Sequence, residues 1–312
     1  MVTIRALGER DLPEAQRIIH RAFGTFLGVP DLEKFWFPPY AHTRFGAEHI
    51  ASFAAERDGR LLGSNFVTKW GSVGFFGPLS TRPDLWDAGI GQRLVAAVSD
   101  QFQSWGIRHA GLFTFAQSAK HVGLYGKFGF HPRFLTAIMT APVQPAGAAQ
   151  NWSRYSELTD TDRTQAESAS REVTEQLYDG LDLRSEIRTV DARKLGDTVL
   201  LWDGGSRLAG FAICHCGPES EAGESACFVK FGVVRPGAGV EDRFAMLLDS
   251  CAALAAAAGM TTIIAGVNTA REEAYRAMLA RGFRTQIQGV TMHRPNEPGY
   301  SRPGLFVLDD WR

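Results

Sequence analysis

The chain lacks a charge imbalance, a membrane-crossing apolar run and a signal-like start. Its formal net charge is −1, from 33 basic and 34 acidic side chains, so it has no overall attraction for nucleic acid or an anionic membrane. Any anion-binding site must be local. It contains no uninterrupted run of about 18 apolar residues and no charged start followed by an apolar segment. We therefore predict a cytoplasmic protein, with neither nucleic acid nor a membrane among its partners.

Cysteine is scarce, and all four cysteines lie in the second half of the chain: Cys214, Cys216, Cys227 and Cys251. They do not form the spaced framework of a disulfide-stabilised chain, and we expect reduced thiols. The run Cys214-His215-Cys216 has the composition of a zinc site. Strand alternation, however, would direct the two cysteines to one face and the histidine to the other. We therefore predict buried thiols and no metal site.

The length and composition are those of a globular protein with two domains. The chain has 312 residues, of which 45% are hydrophobic and 21% charged, and domains usually contain about 100 to 200 residues. Residues 141–150 are rich in proline, alanine and glycine, which is typical of a linker. We predict one domain over residues 1–142, a linker over 143–153 and a second domain over 154–312.

Hydrophobic spacing predicts the elements of the first half. A helix that Asp11 caps should end by Gly24. An Asp-Gly pair at 58–59, between two strand-like runs, is typical of a tight hairpin. The predicted order is a strand (3–6), a helix (11–24), strands (50–56, 61–70 and 72–80), a helix (91–106), a strand (108–115), a helix that carries Tyr125, and a strand (134–140).

An aromatic cluster, Phe35-Trp36-Phe37-Pro38-Pro39-Tyr40, follows the first helix. Its two prolines exclude a regular helix interior. Either it is a loop packed over the core or it is a wall of a substrate pocket.

The second half repeats landmarks of the first at one spacing. A shift of 153 residues relates Pro83 to Pro236, Gly106 to Gly259, and Gly129-Phe130 to Gly282-Phe283. Three landmarks in one register indicate a duplicated domain. The predicted fold class is α/β with a mixed sheet: two tandem domains, each a mixed, largely antiparallel sheet flanked by helices.

The loop before the central helix has the features of an anion site. Gly89 and Gly91 open this helix, leave backbone N–H groups free and let a ligand approach closely. The helix dipole adds partial positive charge, so the loop can hold a pyrophosphate. Arg82 and Arg93 flank it and could add contacts. The alternative is a tight turn packed against a strand, which would need glycine just as much.

The whole succession from Pro83 to Phe130 resembles the signature of the GNAT superfamily of acyl-CoA N-acyltransferases. The glycine positions of the family loop match at Gly89 and Gly91, and the tyrosine before Gly-Phe matches at Tyr125. The resemblance covers residues 1–140, and the repeat extends it more weakly to residues 154–295.

Two positions depart from the family pattern. Trp86 replaces the usual glutamine or arginine of the loop, and Ser118 stands where an asparagine that contacts pantetheine is frequent. Serine is shorter but still polar.

The resemblance implies acetyl-CoA as co-substrate, no metal, and direct attack by a primary amine in a ternary complex. Tyr125 would protonate the departing thiolate; the alternative is a core aromatic whose hydroxyl reaches a backbone partner. The acceptor would be a small-molecule or peptide amine, and the protein a monomer or a homodimer. The implied cofactor-binding residues are Leu79, Ser80, Thr81, Trp86, Asp87, Ala88, Gly89, Ile90, Gly91, Gln92 and Ser118.

The second copy departs from the first where chemistry is expected. At the shift of 153, the two loop glycines correspond to Asp242 and Phe244, and the tyrosine corresponds to Met278. Asp242 would repel phosphate, and Gly239 falls too early relative to the helix. We therefore predict a degenerate second domain. Residues 305–308 predict a last strand, and a C-terminal segment that reaches the cleft of the first domain is left open.

No general base follows from the sequence. The strand at 72–81 contains no carboxylate, and the nearest polar candidates, His42, His49 and Glu56, are more typical of surface or hairpin positions. The leading hypothesis is an N-acetyltransferase with its active site in the first domain. The alternatives are a non-catalytic acyl-CoA-binding sensor or interaction protein, and a mycothiol-synthase-like acetyltransferase, which would have its active site in the second domain.

Overall fold

The computed structural model describes residues 1–144, 151–204 and 207–312. The elements of the first half are β1 (Thr3–Ala6), α1 (Leu12–Phe26), α2 (Tyr40–Arg44), β2 (Ile50–Arg57), β3 (Arg60–Trp70), β4 (Val73–Phe76), β5 (Ser80–Thr81), α3 (Ile90–Ser104), β6 (His109–Thr114), α4 (Ala119–Gly126) and β7 (His131–Pro142). Those of the second half are β8 (Trp152–Arg154), α5 (Asp160–Glu175), α6 (Arg184–Ala192), β9 (Gly196–Trp202), β10 (Leu208–Gly217), β11 (Gly223–Val234), α7 (Val240–Ala257), β12 (Thr262–Asn268), α8 (Glu272–Ala280), β13 (Arg284–Arg294) and β14 (Val307–Leu308).

The predicted linker lies mostly outside this description. Residues 145–150 are not among the described residues, and the proposed domain boundary remains a prediction. Among the helices of the described ranges, none has the length and apolar character needed to span a membrane.

Local sequence signals place the first elements correctly, apart from the cap and the end of α1. Strands β2 and β3 are joined at Asp58 and Gly59, whose φ values of 52° and 75° are both left-handed, as a two-residue hairpin turn requires. Helix α1 follows Asp11 but continues to Phe26, beyond the predicted end at Gly24. The Asp11 carboxylate does not cap α1; it accepts hydrogen bonds from Arg5, at 2.6 Å, and from a backbone N–H.

The strand predicted over residues 72–80 is instead two short strands. Strand β4 ends at Phe76, and β5 begins at Ser80 after the Gly77-Pro78 peptide. Proline has no backbone N–H to donate to a ladder. Strand β4 pairs with β3 and, in parallel, with β6 as far as Phe75↔Gly111. Strand β5 pairs with β3, and within the described residues it has no pairing with β6.

The helices cover both faces of this sheet. Ala54 and Phe66 pack in a cluster with α1, whereas their chain neighbours Ala55 and Val67 belong to clusters that include α3 residues. Successive strand residues point to opposite faces, so α1 and α3 lie on opposite sides of the first-half strands. The start of α3 is thereby held beside the end of β5.

The two halves share one sheet. Its strand order is β1-β2-β3-β4-β6-β13-β7-β12-β11-β10-β9-β8, with parallel pairs at β4–β6 and β11–β12 and antiparallel pairs elsewhere. The mixed, largely antiparallel α/β class is confirmed. Strand β13 of the second half lies between β6 and β7, while β7 of the first half lies between β13 and β12. Each half therefore completes its sheet with a strand from the other.

The predicted last strand is present and fills a space in the second half. Strand β11 pairs with β12 over Ala226–Val229, and further along it pairs with β14 at Gly232↔Leu308. Phe306, just before β14, packs against Phe244 of α7 with ring centroids 5.1 Å apart. An extended segment thus lies beside β11 where β11 and β12 are no longer paired.

A buried ionic network also joins the halves. Arg44 of α2 forms an ion pair with Glu221 at 2.8 Å, and each side chain is 1% exposed. Lys230 bridges Glu221 and Glu186 at 3.2 and 3.3 Å, and Glu186 binds His49 at 2.9 Å. Burial alone would raise the pKa of the Glu221 carboxyl, but Arg44 and then Lys230 outweigh it and hold this pKa far below its usual range. These charges are tolerated because they are paired.

The shared sheet gives a stability prediction at Gly289 of β13. A Cβ there would lie 2.3 Å from the Phe113 ring and 2.6 Å from the Thr114 carbonyl oxygen. We expect Gly289→Ala to lower the free energy of unfolding by about 1 to 3 kcal/mol, the usual cost of overpacking. Chemical denaturation measures this.

The matched control is Gly123→Ala in α4, where a Cβ would meet no atom within 4 Å. Alanine there should leave stability unchanged or raise it by up to about 1 kcal/mol, since it is the better helix former. Equal effects of the two substitutions would contradict the close approach of β13 to β6.

Candidate functional site

The N-terminus of α3 presents free backbone donors. Gly89 is its N-cap residue, with a left-handed φ of +75°, which glycine adopts without strain. The first N–H that bonds within the helix is that of Arg93, to the Gly89 carbonyl at 3.3 Å. The N–H groups of Ile90, Gly91 and Gln92 have no intrahelical acceptor. Because the first turn carries no acidic residue, this end of α3 suits an anion.

The structure separates the roles of the two loop glycines. A Cβ at Gly89 would meet nothing within 4 Å, so the local requirement there is conformational. Gly91 has no positive φ, and a Cβ there would make an ordinary contact of 3.6 Å with Leu124. Neither backbone conformation nor packing therefore demands glycine at position 91.

The loop before α3 is organised around Trp86 and Lys120. The Trp86 indole N–H donates to the Thr81 carbonyl at 3.2 Å. Asp87 has a left-handed φ of +68°, and its carboxylate pairs with the Lys120 ammonium at 2.7 Å. This ammonium also lies 5.7 Å from the centroid of the Trp86 ring. The N–H of Ala88 donates to the Leu85 carbonyl within the loop, at 3.3 Å, and Lys120 offsets the negative charge of Asp87.

The two arginines that flank the loop are already partnered. Arg82 binds Asp84 at 3.0 Å, and Arg93 donates to the Val2 carbonyl at 3.2 Å. An open cavity of about 1080 Å³ lies beside Arg82 on the α1 side, lined in part by six arginines and four carboxylates. None of the residues that line it belongs to α4 or to the cluster around Tyr125.

One edge of β5 is open to an extended ligand. The N–H of Arg82 donates to Leu62 of β3 at 2.9 Å. Because successive residues alternate, the backbone of Ser80 also faces β3, whereas Leu79 and Thr81 face the opposite edge. The reach of Trp86 to the Thr81 carbonyl agrees with this orientation. The predicted contact residues therefore divide. Leu79 and the N–H of Thr81 face the open edge, the Thr81 carbonyl already accepts from Trp86, and Ser80 is engaged with β3.

Helix α4 brings Ser118 and Tyr125 to the same region. Ser118 is the N-cap residue, and its hydroxyl accepts from the His121 N–H at 3.4 Å. Tyr125 is buried among side chains that include Phe76, at a ring distance of 5.6 Å, and Leu79. Within residues 1–144, 151–204 and 207–312 its hydroxyl makes no hydrogen bond. Burial raises the pKa of the Tyr125 phenol above its usual value, so the proton is retained at neutral pH.

The sequence prediction omitted His121. Its ring lies 5.0 Å from Phe26 and 6.5 Å from Tyr125, measured between centroids. Burial, and secondarily Lys120, lowers the pKa of His121 below the usual histidine value, so the imidazole is neutral at pH 7 and can accept a proton. The spacing of four residues from Tyr125 on one helix was the available signal.

The three polar residues considered above as general bases are engaged elsewhere or exposed. Glu56 pairs with Arg5 at 2.7 Å, and His49 pairs with buried Glu186 at 2.9 Å. His42 is exposed on α2. None of the three is in ring or hydrogen-bond contact with Tyr125 within the described residues.

The last residues of the chain do reach the first half. Trp311 lies against Gly111 of β6, where a Cβ would come within 2.1 Å of the indole ring. The carbonyl of Arg312 accepts from Arg44 at 2.7 Å, and Arg44 also donates to the Gly77 carbonyl at 2.5 Å. This segment therefore lies where β4 and β6 diverge.

The second half corrects one sequence interpretation. Gly239 is the N-cap residue of α7, with a φ of +73°, so it is the counterpart of Gly89 and does not fall too early. The loop before α7 is shorter than the loop before α3, so the two N-cap glycines are not 153 residues apart. Helix α7 has 18 residues and α3 has 15, and this extra length restores the shift of 153 by the end of the helix. The first turn of α7 contains Glu241 and Asp242. The N-terminus of α7 therefore differs from that of α3 in its acidic charge, and not in loss of the N-cap glycine.

Farther along, the constant shift holds. Tyr125 and Met278 are both the seventh residue of their helices, α4 and α8. The counterpart of Ser118 is Arg271, the N-cap residue of α8. Arg271 donates to the Val307 carbonyl at 3.0 Å and pairs with Asp309, so it holds the β14 segment in place.

Comparison with known proteins identifies the family of the first half. Residues 16–130 match the acetyltransferase (GNAT) family. This match lies wholly within the first half of the chain. In a separate comparison, no curated protein matches the chain.

Solved structures place this GNAT domain within a longer shared fold. A Pyrococcus horikoshii protein proposed to be an acetyltransferase is 12% identical, with a TM-score of 0.68 over 98% of this chain and 93% of that one. A GCN5-related N-acetyltransferase from Sphaerobacter thermophilus is 16% identical, with a TM-score of 0.60 over 94% and 95%. A tandem GNAT protein of the clavulanic acid biosynthesis pathway is 13% identical, with a TM-score of 0.58 over 94% and 98%. The tandem GNAT fold is therefore confirmed.

Proposed function

We propose that the protein is an N-acetyltransferase that moves an acetyl group from acetyl-CoA to a primary amine, with its active site in the first half. The observation that carries the proposal is the contrast between the two helix N-termini. That of α3 combines free N–H groups with a non-acidic first turn beside the open edge of β5. That of α7 carries Glu241 and Asp242 beside a strand edge that β14 already covers.

Strand β14 also supports the binding mode. In the second half, an extended segment of this chain pairs with β11, the counterpart of the β4–β5 region. The pantetheine arm would take the equivalent place in the first half, paired with the backbone of Leu79 and Thr81 like an added strand. The pyrophosphate would then accept hydrogen bonds from the N–H groups of residues 90–92, and the Ser118 hydroxyl would hydrogen-bond to the pantetheine amides.

The reaction needs one group that donates a proton and one that takes up a proton. The substrate amine attacks the thioester carbonyl, whose oxygen a backbone N–H near Leu79 would stabilise. As the carbon–sulfur bond breaks, Tyr125 donates its proton to the leaving thiolate. The attacking nitrogen loses a proton to His121, which is neutral at pH 7 because its pKa is lowered. The acceptor is a small-molecule or peptide amine.

The loop assignment is tested by Gly89→Asp. Aspartate tolerates a left-handed φ and is a good N-cap residue, so the fold should persist. Its carboxylate would stand where the pyrophosphate binds, and we expect CoA affinity, measured by calorimetry, to fall at least about tenfold through like-charge repulsion.

The matched control is Gly239→Asp, at the equivalent N-cap residue of α7, with a φ of +73°. It should leave CoA affinity unchanged. Unchanged affinity in Gly89→Asp would show that α3 does not bind the cofactor, and a loss confined to Gly239→Asp would move the site to the second half.

The acid role is tested by Tyr125→Phe, which preserves the ring packing against Phe76. We expect the turnover rate for thiol release to fall by about 100-fold or more, as is typical on loss of a general acid, with CoA affinity within about twofold. The assay uses a panel of amines. Turnover that is equal in the variant would reject the role of Tyr125, and CoA binding without turnover on any amine in either protein would favour the sensor.

The base role predicts a pH signature for His121→Gln. Because burial lowers the pKa of His121 below its usual value, the neutral form prevails at neutral pH and is lost only as the pH falls through this lowered pKa. The ratio of wild-type to variant rates, in which the ionisation of the amine cancels, should be constant above pH 6.5 and decline toward one in acid. A ratio that does not change with pH would exclude His121 as the base.

A further inference from the structure

The four cysteines, scattered in sequence, meet at one place in the second half. Cys214 and Cys216 share a face of β10, Cys227 lies on β11, and Cys251 projects from α7 onto the same core. The sulfur atoms of Cys214 and Cys251 are 4.0 Å apart. All four are free thiols, and in the described part of the chain no group of three or more His, Cys, Asp or Glu side chains suits a metal ion.

Cys216 and Cys227 are set as a cross-strand pair. They are directly opposite in the β10–β11 register. The Cys216 N–H donates to Leu195, on the other side of β10, at 2.8 Å, so the cysteines form a non-hydrogen-bonded pair. In such pairs the Cα atoms are about 4.5 Å apart, which a disulfide can span. The Cys216 side chain also packs against the core cluster that contains Cys227.

Only one thiol of the cluster is within reach of solvent. Cys216 is partly exposed near the end of β10, whereas Cys214, Cys227 and Cys251 are each 0% exposed. A reagent would therefore meet Cys216 first. Cys227 is then positioned as the resolving thiol, because it lies directly opposite.

We propose that Cys216 and Cys227 form a thiol–disulfide exchange site whose substrates are small-molecule disulfides. The Cys216 thiolate attacks one sulfur of the reagent, forms a mixed disulfide and releases one small thiolate. The Cys227 thiolate then attacks the Cys216 sulfur and releases the second. Two cysteine S–H bonds are lost, one S–S bond forms, and the small disulfide is reduced to two thiols.

The new bond would close the β10–β11 loop, which carries Glu221. Since Glu221 is the ion-pair partner of Arg44 in the first half, oxidation would fix the loop that anchors one half to the other. The neighbouring Cys227 side chain, and secondarily burial, raises the pKa of the Cys216 thiol, so exchange is slow at neutral pH and faster at alkaline pH.

The test incubates the full chain with oxidised glutathione and follows its intact mass. We expect a loss of about 2 Da, without a retained glutathione, and a mapped Cys216–Cys227 bond. In Cys227→Ser the resolving thiol is missing, so a stable glutathione adduct on Cys216 should accumulate. Cys216→Ser should show neither product.

Cys251→Ser is the matched control, since it removes a thiol of the same cluster that the proposal does not use. It should still form the Cys216–Cys227 bond. Any of three results with the wild-type protein would overturn the proposal. These are a retained glutathione, a disulfide mapped to Cys214 and Cys251, and an unchanged mass at mildly alkaline pH.

Discussion

The pairing of β7 with β13 is the constraint on which the rest of the structure depends. Each of these strands comes from one half and lies between strands of the other. One edge of β6 and one edge of β12 are paired through this exchange, and unpaired buried peptide groups are costly. The halves therefore form one sheet, and the buried pair of Arg44 and Glu221 reinforces the same junction.

Within this shared sheet, the two halves differ in what occupies the space beside one strand. In the second half β14 pairs with β11, and Arg271 holds the segment through Val307 and Asp309. In the first half, the corresponding edge at Leu79 and Thr81 has no such strand in the described residues. The same backbone geometry can thus serve packing in one half and ligand binding in the other, which is the basis of the proposed acetyltransferase site.

Local chemistry was predictable wherever neighbours in sequence decide it. The turn at Asp58-Gly59 was correct because two left-handed residues match the twist of a hairpin. The cap of α4 at Ser118 is likewise local, because its hydroxyl satisfies an orphan N–H three residues along the chain. The prediction that Gly239 falls too early before α7 was wrong. A constant shift between the halves does not allow for a shorter loop followed by a longer helix. His121 was missed because no family motif includes it, although it lies one turn before Tyr125.

By itself, the sequence determined the elements, the duplication, the family and the glycine that opens α3, since each depends on local conformation or on a repeated spacing. Only the tertiary structure decided that the halves exchange strands, that β14 fills one cleft and that four separated thiols meet. These are contacts between residues far apart in the chain. Their selection depends on which backbone edges and side chains remain unsatisfied after the local elements have formed, and no spacing in the sequence records that.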